Sequence, residues 1–367
     1  MKKNIHYKNI STFSDKNLNL KFEKFKNVNL TTNKNIKKVL IIKWGGMGDV
    51  IQAIPIIESL TNSFNFAEFH LNTKQPWNSL FTENRKIKKI WLIDFKKKYF
   101  GIFEIYKWLQ FLRRQKYDLI IDLQSNDRSR ILLSLLRFIY SAPRYIIGNH
   151  PVFPYTIYPN NFISIEQPFL KMKRTLASIG VKINKPSLNN FLTRKIIAKT
   201  NDKLKKYGLL NKEFIIFIPG SSKKNLLKRW GVMNYVQLSR LLNLKVVLIG
   251  GAEDELECEK IFALNKNITN LCSKFSLLEL IEVFTKAKII IANDTGPTHL
   301  AALTNTPIIQ IVGPTNPDKV KPLGKEILAV QSNIECKNCY KKTCGHHSCM
   351  SDVTPEDILN IIQNYHA

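Results

Sequence analysis

Eight short, apolar, β-branched runs, each followed by a loop and then by helical periodicity, constrain the fold of this chain more than any other feature. They lie at residues 39–43, 90–93, 119–123 and 145–147, and again at 214–218, 246–249, 289–292 and 308–312. Strands that alternate with helices imply βαβ units and a parallel sheet. Two sets of four imply two Rossmann-like halves, and 367 residues are enough for two cores. Between the sets, prolines at 151, 154, 159, 168 and 186 and two helical stretches near 169–179 and 195–207 mark a junction, placed at 186–192. The expected division is a basic polar extension at 1–36, an N-terminal α/β domain at 37–190, a C-terminal one at 191–350 and a closing helix at 351–367. That helix has Thr354 as N-cap and Pro355 at its first position.

The loops after the strands carry the chemistry. The first strand runs into Trp44-Gly45-Gly46-Met47-Gly48-Asp49 and then an apolar helix. Three glycines let the backbone approach a ligand closely, but this is not the G-x-G-x-x-G fingerprint of dinucleotide sites. An acid at that mouth repels a pyrophosphate and suits a base that accepts a proton from a hydroxyl. The competing reading is that Asp49 only caps the helix.

In the second half, Pro219-Gly220-Ser221-Ser222 is followed by Lys223, Lys224, Lys228, Arg229 and Trp230. Glycine, hydroxyls and cations after a strand suit a phosphate, although a solvated basic loop has the same composition. Gly250-Gly251 precedes Glu253, Asp254 and Glu255, acids of the kind that accept bonds from ribose hydroxyls. Then an apolar strand delivers Asn293-Asp294-Thr295-Gly296-Pro297-Thr298-His299. So many polar groups after a buried strand point to a ligand at the carboxyl edge of the sheet, where open α/β folds bind. Gly313-Pro314-Thr315 closes the same rim or forms an ordinary turn.

The charge balance limits the partners. With 56 Lys+Arg against 28 Asp+Glu the chain carries +28, which favours anionic surfaces and phosphorylated molecules, unless lysine simply fills solvated faces. No apolar run reaches the roughly 18 residues of a membrane span, and residues 1–35 lack a secretory core, so a cytoplasmic location is expected.

Taken in order, these segments resemble glycosyltransferase family 9, the bacterial ADP-heptose:lipopolysaccharide heptosyltransferases, over roughly residues 37–365, and most of all the second-heptose type. The resemblance implies a GT-B architecture, two Rossmann-like domains with parallel sheets facing a cleft. It implies an inverting transfer of heptose from ADP-heptose to the lipopolysaccharide inner core. Asp49 is then the general base. Ser221, Ser222 and Lys228 are the donor diphosphate contacts, with Lys224 as the substitute for Lys228. Glu255 is the ribose acid, and Asp294, Thr295, Gly296, Pro297, Thr298 and His299 form the diphosphate and sugar turn. Gly46 and Gly48 lie on the acceptor side with Arg128 and Arg130, which hold acceptor phosphates or are exposed helix cations. The implied partners are ADP-heptose, a phosphorylated lipid-linked oligosaccharide and the anionic inner membrane surface, with peripheral attachment and no nucleic acid. No Asp-x-Asp motif is present, so neither a metal nor another cofactor is required for catalysis.

Cys336, Cys339, Cys344 and Cys349, with His346 and His347 among them, admit a structural zinc, disulfides or reduced thiols. Two other readings of the whole chain stay open: a GT-B transferase with a different nucleotide sugar or acceptor, and a non-catalytic binder of nucleotides or polyanions. A dinucleotide oxidoreductase lacks its glycine fingerprint.

Overall fold

The computed structural model describes residues 5–9, 28–94, 102–140, 143–159, 167–188 and 191–365. They fall into two compact units that divide between Phe191 and Leu192, with the N-terminal strand 5–9 belonging to the C-terminal unit.

The N-terminal unit holds a parallel sheet of five strands: β2 (Lys38–Ile42), β3 (Glu68–Thr73), β4 (Ile87–Leu92), β5 (Leu119–Asp122) and β6 (Tyr145–Ile147), ordered β4-β3-β2-β5-β6. Strands buried on both faces read as unbroken apolar runs, as Val39 to Ile42 do. Helices α1 (Met47–Ser63), α2 (Ile102–Gln115), α3 (Asp127–Ile139) and α4 (Pro168–Ala177) complete the unit. Leu40, Ile42 and Ile120 pack with Trp108 and Leu112 of α2 and Leu132 and Leu136 of α3 in one core. Residues 28–36, assigned by sequence to an extension, belong here: Leu30 and Ile36 are buried, and the Leu30 N–H donates to the Ile179 carbonyl at 3.2 Å.

The sheet of the C-terminal unit has seven strands. They are β1 (Ile5–Asn9), β7 (Phe214–Ile218), β8 (Lys245–Leu248), β9 (Thr269–Asn270), β10 (Ile289–Asn293), β11 (Ile308–Ile311) and β12 (Ile327–Ser332), in the order β1-β12-β11-β10-β7-β8-β9. All pairings are parallel except β1 with β12. So part of the expected extension is an edge strand rather than a polar tail. The helices are α5 (Arg194–Lys206), α6 (Val232–Leu241), α7 (Glu255–Leu264), α8 (Leu277–Lys286), α9 (Gly296–Ala301), α10 (Pro317–Val320), α11 (Ser348–Ser351) and α12 (Pro355–Tyr365). Helix α12 is not separate: Ile358 and Ile362 enter the core formed by Phe217, Tyr235 and Ile291. Among the described residues no helix is long and apolar enough to cross a membrane.

Helix α8 starts with a reciprocal cap. The Ser276 N–H donates to Glu279 Oε2 at 2.8 Å and the Glu279 N–H to Ser276 Oγ at 3.3 Å. Lys203 and Lys199 of α5 reach the same carboxylate at 2.8 and 3.2 Å. Burial alone would raise the Glu279 pKa, but Lys203, the Ser276 N–H and Lys199 outweigh it and take it from 4.5 to about 2. A carboxylate depressed on folding stabilises above its unfolded value and loses that contribution as pH falls through the folded one. We therefore predict that Glu279→Gln destabilises the chain by about 1–2 kcal/mol at neutral pH. Denaturant titration should show the gap to wild type closing as pH drops from 4.5 towards 2.

Candidate active site

In the N-terminal unit the rim of the sheet is organised by a buried carboxylate at the end of β5. Asp122 accepts from the N–H groups of Gln124 and Ser125 at 3.0 and 2.8 Å, and from Ser129 Oγ and Tyr155 Oη at 2.7 Å each. Burial nevertheless pushes its pKa up, against those four bonds. The loop so fixed is tied to the first one: Gln124 Oε1 accepts from the Trp44 N–H at 3.0 Å, and Lys43 Nζ donates to the Leu123 carbonyl at 3.2 Å. Burial lowers the Lys43 pKa, the Asp49 and Asp122 carboxylates counter it, and Lys171 adds to the lowering. Lys43, Asp49, Asp122 and Lys171 thus share one electrostatic neighbourhood.

Asp49 is half-buried in the first turn of α1, with Oδ2 accepting from the Gly46 N–H at 3.1 Å. The capping role foreseen for it is therefore real, and its other carboxylate oxygen is not consumed by that bond. The glycine its position requires is Gly45, where a Cβ would lie 2.7 Å from Oδ2. Gly46 is exposed, and Gly48 lies in the first turn of α1. At the start of α3, Arg128 is exposed and Arg130 is half-buried, 3.0 Å from Asp127. Arg174 of α4 is buried, with NH2 3.4 Å from Asn149 Oδ1.

In the C-terminal unit the corresponding organiser is Asn293, the last residue of β10 and fully buried. Its Nδ2 donates to the carbonyls of Pro219 and Gly220 at 2.6 and 3.3 Å, and its Oδ1 accepts from the Trp230 N–H at 3.2 Å and Tyr235 Oη at 3.1 Å. One amide therefore anchors the loop after β7 and the segment before α6 to the end of β10. Beside it, Lys228 Nζ lies 2.6 Å from Asp294 Oδ2, which also accepts from Thr315 Oγ1 at 2.9 Å. Asp294 is only 6 % exposed. Its carboxylate faces Lys228 and Thr315, so Asp294 positions the cation.

The hydroxyl of Ser221 is engaged with the Asn225 carbonyl at 2.9 Å, while Ser222 is exposed and accepts from Asn225 Nδ2 at 2.9 Å. Lys224 is exposed on the same loop. Thr295, Gly296 and Pro297 are half-buried at the start of α9; Thr298 is buried with its hydroxyl donating to the Asn293 carbonyl at 2.7 Å, and His299 is buried. Glu255 is exposed at the first position of α7.

Three residues that lie inside the sequence motifs, but were assigned no separate role there, shape this rim. Asp254, not Glu255, is the buried acid of its loop: it accepts from the Gly251 N–H at 3.0 Å and lies 3.8 Å from Arg229, and a Cβ at Gly220 would collide with its carboxylate. Burial raises its pKa, against the Gly251 N–H and Arg229. Arg229 also pairs with Glu257 at 3.2 Å. Asn293 stood at the head of the motif, and a polar residue closing an all-apolar strand was the signal available for it.

The zinc reading of the cysteine cluster finds no formed ligand set among the described residues. Among the described residues no group of three or more His, Cys, Asp or Glu side chains is placed to hold a metal ion. Cys349 is buried near Gly313, Cys336 and Cys339 are exposed, and Cys344 Sγ accepts from the His347 N–H at 3.4 Å. The imidazoles are engaged elsewhere, His347 with the Leu227 carbonyl at 2.7 Å and His346 with Ser348 Oγ at 3.0 Å. The cysteines are free thiols.

Two largely parallel sheets with polar loops at their strand ends, a carboxylate on the rim of one unit and cations on the rim of the other, define an α/β protein whose loops are of the ligand-binding kind. The family model described as glycosyltransferase family 9 (heptosyltransferase) matches residues 105–349. Lipooligosaccharide heptosyltransferase 2 of Campylobacter jejuni is 27% identical over 343 residues, 87% of this chain and 97% of that one. The structure of E. coli ADP-heptose lps heptosyltransferase II matches with a TM-score of 0.68 at 20% identity, covering 89% of this chain and 98% of that one. E. coli heptosyltransferase WaaC with ADP matches at 0.67 and 19% identity, covering 89% and 99%. The chain belongs to glycosyltransferase family 9 and has the GT-B fold of these enzymes.

If Asp294 acts by holding Lys228, their effects on nucleotide binding must overlap. We predict that Lys228→Ala and Asp294→Asn each weaken ADP binding about tenfold by calorimetry, and that the double variant is no weaker than either. Additive losses would mean that the two act separately.

Proposed function

We propose that this enzyme transfers heptose from ADP-heptose to a hydroxyl of the lipopolysaccharide inner core, inverting the anomeric carbon. The observation that carries the donor side is the rim around Asn293, where Lys228, the loop 220–222 and the start of α9 bring a cation and backbone N–H groups together. Such groups stabilise charge as it develops on a departing diphosphate. The names of the relatives support the sugar and acceptor, and the ADP bound in the WaaC structure supports the nucleotide.

In the proposed reaction Asp49 accepts the proton of the acceptor hydroxyl, whose oxygen forms the new bond to the anomeric carbon. The bond from that carbon to the diphosphate breaks, and ADP leaves with its added charge facing Lys228, Ser222 and the Thr295 to Thr298 turn. His299 shapes this turn from behind, and Glu255 takes the ribose hydroxyls, Asp254 being turned into its own loop. Ser221 holds the loop, its hydroxyl donating to the Asn225 carbonyl and its own carbonyl accepting from Arg229. Gly46 and Gly48 let the acceptor approach Asp49, while Arg128 and Arg130 face its phosphates. No step uses a metal or other cofactor. A cytoplasmic enzyme attached peripherally to the inner face of the membrane suits a phosphorylated, lipid-linked acceptor, and the +28 charge favours anionic lipid.

The test is release of ADP from ADP-heptose in the presence of a deacylated inner-core acceptor. Asp49→Asn should lower kcat by about 10²–10⁴-fold and leave ADP affinity within about twofold. Unchanged kcat in that variant removes the base. Turnover of UDP- or GDP-sugars in place of ADP-heptose removes the proposed donor.

A further inference from the structure

Seven of the seventeen large hydrophobic side chains exposed among the described residues belong to one part of the N-terminal unit, helices α2 and α3 and the loop 151–154. Trp108, Leu109 and Leu112 of α2 and Leu132, Leu133 and Leu136 of α3 enter a single core against the sheet. The two helices form one layer, and their outward stripes share one surface. On α2 that stripe is Phe103, Tyr106, Lys107, Arg113 and Arg114, a helical spacing. On α3 it includes Ile131 and Phe138. Phe138 is 77% exposed and Phe103 65%. Phe138 packs against Phe153 of the loop in a tilted pair, with ring centroids 5.1 Å apart. Tyr140 links the helices: its hydroxyl accepts from Gln110 Nε2 at 2.8 Å and its ring lies 5.0 Å from the Arg113 guanidinium.

The charges on this layer are one-sided. The two helices carry six Lys and Arg residues and only two carboxylates, Glu104 and Asp127, which lie 3.7 Å from Lys107 and 3.0 Å from Arg130. Exposed aromatic and aliphatic groups interleaved with an excess of long cations match the interface of a bilayer with anionic headgroups, where rings sit at headgroup depth and cations meet phosphate. The same charge disfavours a second copy, because two such faces repel.

We propose that the outer face of α2 and α3, with the Phe153 loop, docks this enzyme onto an anionic lipid bilayer. The lipid-linked acceptor of the proposed function gives the surface its purpose, and the inference rests on that reading to this extent alone. Vesicle co-sedimentation of the full chain, without donor or acceptor, tests it. Binding is expected to phosphatidylcholine vesicles containing phosphatidylglycerol and not to phosphatidylcholine alone, and to weaken as salt rises. The double variant Phe103→Ser/Phe138→Ser should reduce partitioning about tenfold or more, and Arg113→Gln/Arg114→Gln should reduce it on anionic vesicles. Both leave exposed positions polar, so the melting temperature and turnover on the deacylated acceptor should match wild type. Equal binding to neutral vesicles, or undiminished binding by both variants, overturns the proposal. So does concentration-dependent dimerisation that the Phe variants abolish, which would assign the face to a second copy. Turnover on the deacylated acceptor is read separately: vesicle binding without it rejects the transfer reaction and keeps the surface, and turnover without vesicle binding does the reverse.

Discussion

A parallel strand buried on both faces has to deliver polar backbone to a ligand at its carboxyl end without leaving groups unpaired in a dry interior. Each unit meets that constraint with one buried polar side chain at the end of a strand at or next to the centre of its sheet. Asn293 uses its amide on two carbonyls, one N–H and one phenol. Asp122 uses its carboxylate on two N–H groups and two hydroxyls. Neither side chain has to touch a ligand for the loops around it to be ordered, and both are costly to truncate, since each stranded buried group costs about 1–3 kcal/mol.

The rims built on these anchors differ in sign. Around Asn293 the cations are held by acids beneath them, Lys228 by Asp294 and Arg229 by Asp254 and Glu257. Pre-positioned cations need little reorganisation when charge arrives, which favours a developing anion over a settled one. Around Asp122 the reverse holds: Asp49 sits in a half-buried turn, and buried Lys43, whose burial-lowered pKa the Asp49 charge raises, is bonded to a carbonyl. A carboxylate oriented by one N–H keeps an oxygen for a proton.

Much of this was legible in the sequence because apolar runs and polar turns report directly on strands and their carboxyl ends. The eight runs all correspond to strands, with ends displaced by at most three residues. Strands with polar letters were missed. Glu68–Thr73 contains His70, bonded to Tyr117 and Glu68 at 2.7 Å each, and Asn72, which accepts from Trp44 and Trp108 at 3.0 Å each. In Ile327–Ser332, Gln331 donates to the carbonyls of Gly313 and Thr315. Apart from Glu68, two residues from His70, those partners lie 16 to 47 residues away, so no local pattern marks them. The same limit hid the division of labour among neighbours: sequence picks out Asp254 and Glu255 alike, and only the Gly251 N–H and Arg229 turn the first inward. Cysteine spacing left zinc, disulfides and reduced thiols all open for a related reason, since thiols three or five residues apart can face a core or solvent as the local turns dictate.

In the proposed reaction the Asn293-anchored rim receives the donor nucleotide and the Asp49 rim does not. Hydrogen–deuterium exchange with and without saturating ADP tests that division most directly. Slowed exchange is expected at backbone amides of residues 220–222, 250–252 and 295–299, with unchanged exchange at 44–49. Protection confined to 44–49, with none around Asn293, would contradict it.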